Sequence, residues 1–262
     1  MQTEPAEIMI PILRTLIDNL QALGIRENGV LLVHASMRSL GKVDGGAETV
    51  ILALLQALGK RGTLLFPALS YETVTPETPY FDVCRTPSCV GALPEYFRQR
   101  EGTQRSVHPT HSVCGVGTQA FDILSGHKRD TTPCGPNSPF HKLPQHKGQI
   151  LFLGCGLRPN TSMHAIEELS EPPYLYADLL DYEITDAAGR VSEMTVRSHN
   201  FKGWVQRYDR LAQLLDEPFL RNGKVLNADC QLIESSAMWP AVHEKLKQDP
   251  LFFVDRENED NA

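Results

Sequence analysis

Three short, uninterrupted apolar runs constrain this chain more than anything else in it: Val30-Leu31-Leu32-Val33, Thr63-Leu64-Leu65-Phe66 and Gln149-Ile150-Leu151-Phe152-Leu153. A strand with no polar face is stable only when both of its faces are covered, which is the situation inside a sheet sandwiched between helices. The intervening segments have helical period. Ile8, Ile12, Leu16, Leu20 and Leu23 fall on one face of Glu7 to Leu23, which Gly24 closes. Gly45-Gly46 precedes a second such segment, Ala47 to Leu58, which Gly59 closes. Strand, polar loop, helix, strand is the order of an α/β layered fold. Sites in such folds form beyond the carboxyl ends of the strands, here the loops after Val33 and Phe66.

The rest of the chain reads in the same terms. Ser70 to Thr86, rich in Pro and Thr, is a long irregular excursion of the kind that carries function. Leu93 to Arg100 and Thr118 to Ser125 read as helices, Val113 to Val116 as a strand, and Met163 to Leu169 as a helix capped by Asn160-Thr161-Ser162. Tyr182 to Thr185 and Val191 to Val196 alternate around Ala188-Gly189, predicting a hairpin added antiparallel to the sheet. Helices are expected around Trp204 to Leu215 and Ala237 to Lys247, with a frayed polar tail from Glu257. With no repeat or linker composition, the expectation is one domain over residues 1–262, carrying a hairpin and helical addition at about 175–262.

Composition excludes several classes. The 41% hydrophobic content supports a substantial core. No stretch approaches the roughly 20 apolar residues of a membrane span, and no basic start precedes an apolar run, so a cytoplasmic protein is expected. The six cysteines, Cys84, Cys89, Cys114, Cys134, Cys155 and Cys230, form no C-x-x-C pair and match no His spacing of a zinc site. They read as reduced thiols, and no metal is expected. A net charge of −7 argues against nucleic acid, whose binding needs clustered Lys and Arg. The same charge suits a polycationic substrate, or solubility alone.

Three polar clusters follow strands or turns. His34 to Gly41 offers small residues for close backbone approach, with Arg38 and Lys42 able to meet phosphates, yet it matches neither a Walker loop nor a dinucleotide fingerprint. Arg105 to Ser112 gathers an Arg, two Ser and two His around Pro109. Such density is costly to bury without purpose, but His108 and His111 also read as solvated loop residues. Asn160 to Glu168 sets His164 one turn before Glu167 and Glu168, so that a carboxylate can fix its tautomer and raise its basicity, as a general base requires. The competing reading is a histidine that only satisfies the helix start. A serine hydrolase lacks its G-x-S-x-G elbow here. Cys155, between two glycines, is a weaker candidate nucleophile.

Taken in order, Val33 to Ser70 (VHASMRSLGKVDGGAETVILALLQALGKRGTLLFPALS), Arg105 to Gly117 (RSVHPTHSVCGVG), Asn137 to Leu143 (NSPFHKL) and Ile150 to Glu168 (ILFLGCGLRPNTSMHAIEE) resemble the aminoglycoside 3-N-acetyltransferases, over roughly residues 7–180. The resemblance implies a three-layer α/β/α sandwich with a mixed central sheet, distinct from the GNAT acetyltransferases. It implies acetyl-CoA as co-substrate and a small cationic amine as acceptor, with a homodimer left open. His34, Ala35, Ser36 and Met37, then Arg105, Ser106 and Val107, match stretches that contact CoA, and Ser112 is grouped with them. His164 matches the histidine that deprotonates the amine for direct attack on the thioester, with no acyl-enzyme. Tyr71, Glu72, Asp82, Asp178 and Asn200 are candidates for the cationic acceptor. The stretch Val196 to Phe201 departs from the family pattern: Asn200 falls where an Asp is expected, so either Glu167 takes over as partner of the base or the acceptor differs. The alternatives are acetylation of another amine and a CoA-binding protein without catalysis.

Overall fold

A computed structural model describes residues 5–257. In chain order the elements are α1 (Pro5–Leu23), β1 (Val30–Ala35), α2 (Gly46–Leu58), β2 (Thr63–Pro67), β3 (Tyr80–Asp82), α3 (Ala92–Gln99), β4 (Gln104–Arg105), β5 (Val113–Gly117), α4 (Ala120–Leu124), α5 (Pro139–Lys142), β6 (Gln149–Leu153), α6 (Ser162–Ser170), β7 (Tyr176–Thr185), β8 (Val191–His199), β9 (Trp204–Gln206), β10 (Leu220–Val225), β11 (Ala228–Glu234), α7 (Ser235–Gln248) and β12 (Val254–Arg256).

The three apolar runs are neighbours at the centre of a seven-stranded sheet of order β10-β11-β6-β1-β2-β5-β4. β1 runs parallel to both β2 and β6, while β5 and β11 join antiparallel, so the sheet is mixed. Alternate residues feed two separate cores. Leu31, Val33, Leu64, Phe66, Leu151 and Leu153 pack under α1, α2 and α3, whereas Val30, Leu32, Leu65, Ile150 and Phe152 pack under α4 to α7. That two-sided demand makes the runs continuously apolar, and each buried side chain contributes about 1.5–3 kcal/mol relative to exposure. The result is the expected three-layer α/β/α sandwich.

Two expectations are corrected. The hairpin of β7 and β8 does not extend the central sheet. It forms a three-stranded sheet of its own with β3, whose Tyr80–Asp82 pairs parallel to Glu183–Thr185. Val74, Phe81 and Val83 close a small core with Tyr182, Ile184, Met194 and Val196, so the excursion after Ser70 is pinned rather than loose. The antiparallel addition beside β6 is instead the β10–β11 hairpin. The segment after Trp204 is a short strand paired with β12 and then a 3-10 turn over Tyr208–Gln213, not an α-helix. Trp204 is held there by Arg256, whose guanidinium lies 3.8 Å from its ring centroid, and by Tyr174. These tertiary contacts override the helical pattern. Of the other expectations, the side chain of Ile8 and the tail beyond Glu257 lie outside the described residues. No helix among the described residues is long and apolar enough to cross a membrane.

Because β1, β2 and β6 are parallel, their carboxyl ends share one edge. The loops leaving that edge carry His34–Met37, Ala68–Tyr71 and Gly154–Ser162.

Candidate active site

The loop from β6 re-enters the fold at Asn160, whose buried Oδ1 accepts the Ser162 amide at 3.2 Å and starts α6. His164 lies in the first turn. One turn later Glu167, fully buried, accepts three hydrogen bonds: from His164 Nδ1 (2.9 Å), from the Tyr208 hydroxyl (2.8 Å) and, on its other oxygen, from the Tyr174 hydroxyl (2.8 Å). Burial first, then the Glu167 charge, push both phenol groups up from their ordinary pKa, so they stay protonated and remain donors. With Nδ1–H committed to the carboxylate, the lone pair of His164 is on Nε2. Thus, of the two carboxylates that sequence spacing offers His164, Glu167 is the partner, and two tyrosines from beyond residue 170 lock it in place.

His164 stands in the wall of a cavity of about 410 Å³, together with His111, His199, Tyr71, Asn160, Asn200, Phe201 and Tyr208. The three imidazoles cluster, with ring centroids 5.9 Å apart for His111–His164, 5.4 Å for His111–His199 and 4.9 Å for His164–His199. Burial, reinforced by the neighbouring rings, holds His111 and His199 well below the ordinary histidine pKa, so both are neutral. His199 Nε2 donates to Glu168 Oε1 at 2.8 Å, and burial pushes the Glu168 carboxyl up to about 7 despite its bonds from Thr132 and the Cys134 amide. A second imidazole–carboxyl pair therefore sits beside the first. His108, by contrast, lies wholly in the interior, stacked on His127, and its Nδ1 accepts the amides of Thr110 and His111 to shape the loop.

A narrower chamber of about 100 Å³, lined by His34, Ala35 and Cys155, shares Val90, Pro159 and Thr161 with the main cavity. His34 stacks flat on Phe152 (5.1 Å, 4°), and burial lowers its pKa to about 3. Ser36 continues the segment through hydrogen bonds of its amide to Leu153 and of its hydroxyl with Ser39, and Met37 packs on the α1–α2 core. Burial raises the Cys155 thiol to about 12, which keeps it protonated and unsuited to nucleophilic attack.

Of the Arg105 to Ser112 cluster, His111 reaches the main cavity, whereas Arg105, Ser106, Val107 and Ser112 line neither chamber. The guanidinium is spent on the carbonyls of Val83, Thr86 and Ala68 and on Ser112 Oγ, with Phe81 stacked at 4.8 Å. Ser106 Oγ accepts the Val113 amide and bonds His127, Ser112 Oγ donates to Ala68 O, and Val107 packs on the β3–β7–β8 core. This arginine ties the excursion after Ser70 to the central sheet. Arg105→Met should lower unfolding free energy by roughly 3 kcal/mol, because several buried carbonyls lose a charged donor. Urea titration checks it. A raised KM for acetyl-CoA at unchanged stability would speak for carrier binding instead.

Of the acceptor candidates, Tyr71 and Asn200 line the main cavity. Glu72 and Asp178 are exposed outside it, and Asp82 accepts the amides of Cys84 and Arg85 in its own turn. His199, Tyr174 and Tyr208 escape sequence reasoning, because their roles depend on contacts across 31 to 44 positions in two of the three cases. The one available signal is His199 at the end of an alternating segment.

A profile of the family described as aminoglycoside 3-N-acetyltransferase matches residues 32–247. Aminoglycoside N(3)-acetyltransferase VII of Streptomyces paromomycinus is 34% identical over 181 residues, a stretch spanning 62% of this chain and 62% of that relative's own length. Among solved structures, a histidine-to-alanine mutant of the aminoglycoside acetyltransferase AAC(3)-IVa in complex with a gentamicin superposes with a TM-score of 0.78 at 29% identity, covering 97% of this chain and 92% of that one. AAC-IIIb in a binary complex with CoASH gives 0.78 at 25% identity, covering 90% and 96%. With sequence and architecture agreeing over most of its length, the chain belongs to the aminoglycoside 3-N-acetyltransferase family.

Proposed function

We propose that this protein transfers the acetyl group of acetyl-CoA to a primary amine, the 3-amino group of an aminoglycoside, with His164 as general base. The observation that carries the reading is the Glu167–His164 pair in the wall of a ligand-sized cavity that shares its side with a narrow chamber. The chamber, walled by His34 and Ala35, suits a slender pantetheine arm, with Ser36 and Met37 continuing the wall, and the wider cavity suits the amine. Nε2 of His164 removes a proton from the attacking nitrogen, the N–C bond forms at the thioester carbonyl, and the tetrahedral intermediate expels the CoA thiolate. The same imidazole returns the proton to sulfur, leaving an amide and a free thiol. Glu167, held by Tyr174 and Tyr208, keeps Nδ1 as donor throughout and stabilises the transient imidazolium. Dependence on acetyl-CoA fits an activity in the cytoplasm.

A second reading has its own support. Among the described residues that line the cavity, none is Asp or Glu, whereas recognition of a polycation favours carboxylates. An amine of lower charge, such as a natural-product intermediate, fits that wall better. Thiol release from acetyl-CoA, followed colorimetrically against aminoglycosides with and without the 3-amino group and against monoamines, separates the two. The first reading expects release only with 3-amino aminoglycosides, and faster turnover of monoamines favours the second. No release with any amine overturns both.

A further inference from the structure

His111, His164 and His199 come from three separate segments, yet one ring nitrogen of each lies within 4.8 Å of the other two. Base catalysis needs only one imidazole. Each ring also has a nitrogen committed to an outer partner: His164 Nδ1 to Glu167 (2.9 Å), His199 Nε2 to Glu168 (2.8 Å) and His111 Nδ1 to Thr110 Oγ1 (2.9 Å). An outer carboxylate or hydroxyl that fixes tautomer and orientation is the usual support of a ligating imidazole. Independently, His199 Nδ1 is buried with no hydrogen-bond partner, on a side chain only 6% exposed. An unpaired polar atom at such depth is unfavourable and calls for a partner.

We propose that these three histidines form a binding site for a divalent transition-metal ion of the zinc class, and that its occupancy reversibly blocks acetyl transfer. Three imidazoles with a fourth position open to a cavity are a ligand set that such ions favour. Zn–N bonds of about 2.0–2.1 Å at tetrahedral angles set the nitrogens about 3.4 Å apart, so nitrogens within 4.8 Å of one another need close by little more than an ångström. The bound ion takes the Nε2 lone pair of His164, the one that would accept the amine proton. Spacing along the sequence gives no hint of the site, since its ligands are 53 and 35 positions apart.

The blocking effect rests on His164 being the base, but the binding does not. The test adds zinc sulfate to chelator-treated protein, reads binding by competition with a chromophoric chelator, and reads acetyl transfer in parallel. Cobalt(II) serves as a second probe through its visible spectrum. Wild type should take up one equivalent, show a four-coordinate cobalt spectrum, and lose activity in proportion to occupancy, with recovery on adding EDTA. His199→Ala and His111→Ala should each weaken binding at least tenfold and abolish the cobalt spectrum. No uptake by wild type, or uptake that both variants retain, overturns the site. Uptake with the expected spectrum but undiminished acetyl transfer leaves the site standing and overturns the block, and with it the assignment of His164 as base. Absence of acetyl transfer in metal-free wild type defeats the enzymatic reading alone, because binding is read separately.

Discussion

Replacing His164 with alanine lowers kcat/KM for acetyl transfer by roughly 10²–10⁴-fold, the range over which a positioned proton acceptor contributes. The loss falls on kcat, because His164 lines the wider cavity proposed for the amine, while the chamber proposed for the carrier is walled by His34, Ala35 and Cys155. KM for acetyl-CoA should therefore change by less than about threefold, well under one decade of binding free energy. The fold should survive, since the imidazole packs in a cavity wall and its removal opens space continuous with that cavity. Glu167→Gln is a sharper probe. It keeps the volume but replaces one acceptor oxygen with a donor in a pocket already filled by three donors, from His164, Tyr174 and Tyr208. The imidazole then loses its fixed tautomer, and activity should fall with little change in either KM. Steady-state thiol release, with circular dichroism as the control for folding, decides. An alanine variant that turns over within about threefold of wild type removes His164 from the chemistry.

Different parts of this architecture are legible in the sequence for different physical reasons. β1, β2 and β6 are readable because two-sided burial leaves no room for polar positions. The β10–β11 hairpin is not, because Leu220 to Val225 is apolar and buried only at its two ends, with the polar run Arg221-Asn222-Gly223-Lys224 between them reading as loop, and the pairing of β11 to β6 is visible only in three dimensions. The β7–β8 hairpin is recognised by its turn, but which sheet it joins depends on the core formed by Phe81 and Val83 from a segment about 100 positions earlier. At the site, His164 and Glu167 are readable because three residues on a helix make one turn, a local rule. Tyr174, Tyr208 and His199 reach the same place by tertiary folding alone. Arg105 illustrates the opposite case, where a density of polar groups that suggests ligand contact is satisfied almost entirely within the protein. The Asn200 departure needs no separate compensation in the geometry of the base, since Glu167 already partners His164.

The same buried histidines make stability depend steeply on acid. Burial lowers His34 and His127 to about 3, while a histidine in the unfolded chain titrates near 6.5. Between those values the unfolded chain binds protons that the native state refuses. A depressed pKa thus contributes stability that is complete above pH 6.5 and is lost as the pH falls toward 3. His108 and His111 are lowered in the same way and add to the effect. Glu168, raised to about 7, and Asp130, also raised by burial, act in the opposite sense, since the native state keeps a proton there that the unfolded chain releases. With His199 lowered as well, the histidines outnumber these carboxyls, so near pH 5.5 the unfolded chain binds more protons than the native state and stability falls as the pH is lowered. Urea unfolding at half-unit pH steps measures the slope directly. His34→Phe tests its origin, because phenylalanine can keep the stack on Phe152 while removing a ring nitrogen, Nε2, that has no partner. That variant should flatten the slope by about 1.4 kcal/mol per pH unit, one proton's worth. A stability that stays level, or rises, between pH 6.5 and 4.5 would show that these imidazoles are not held neutral by the fold.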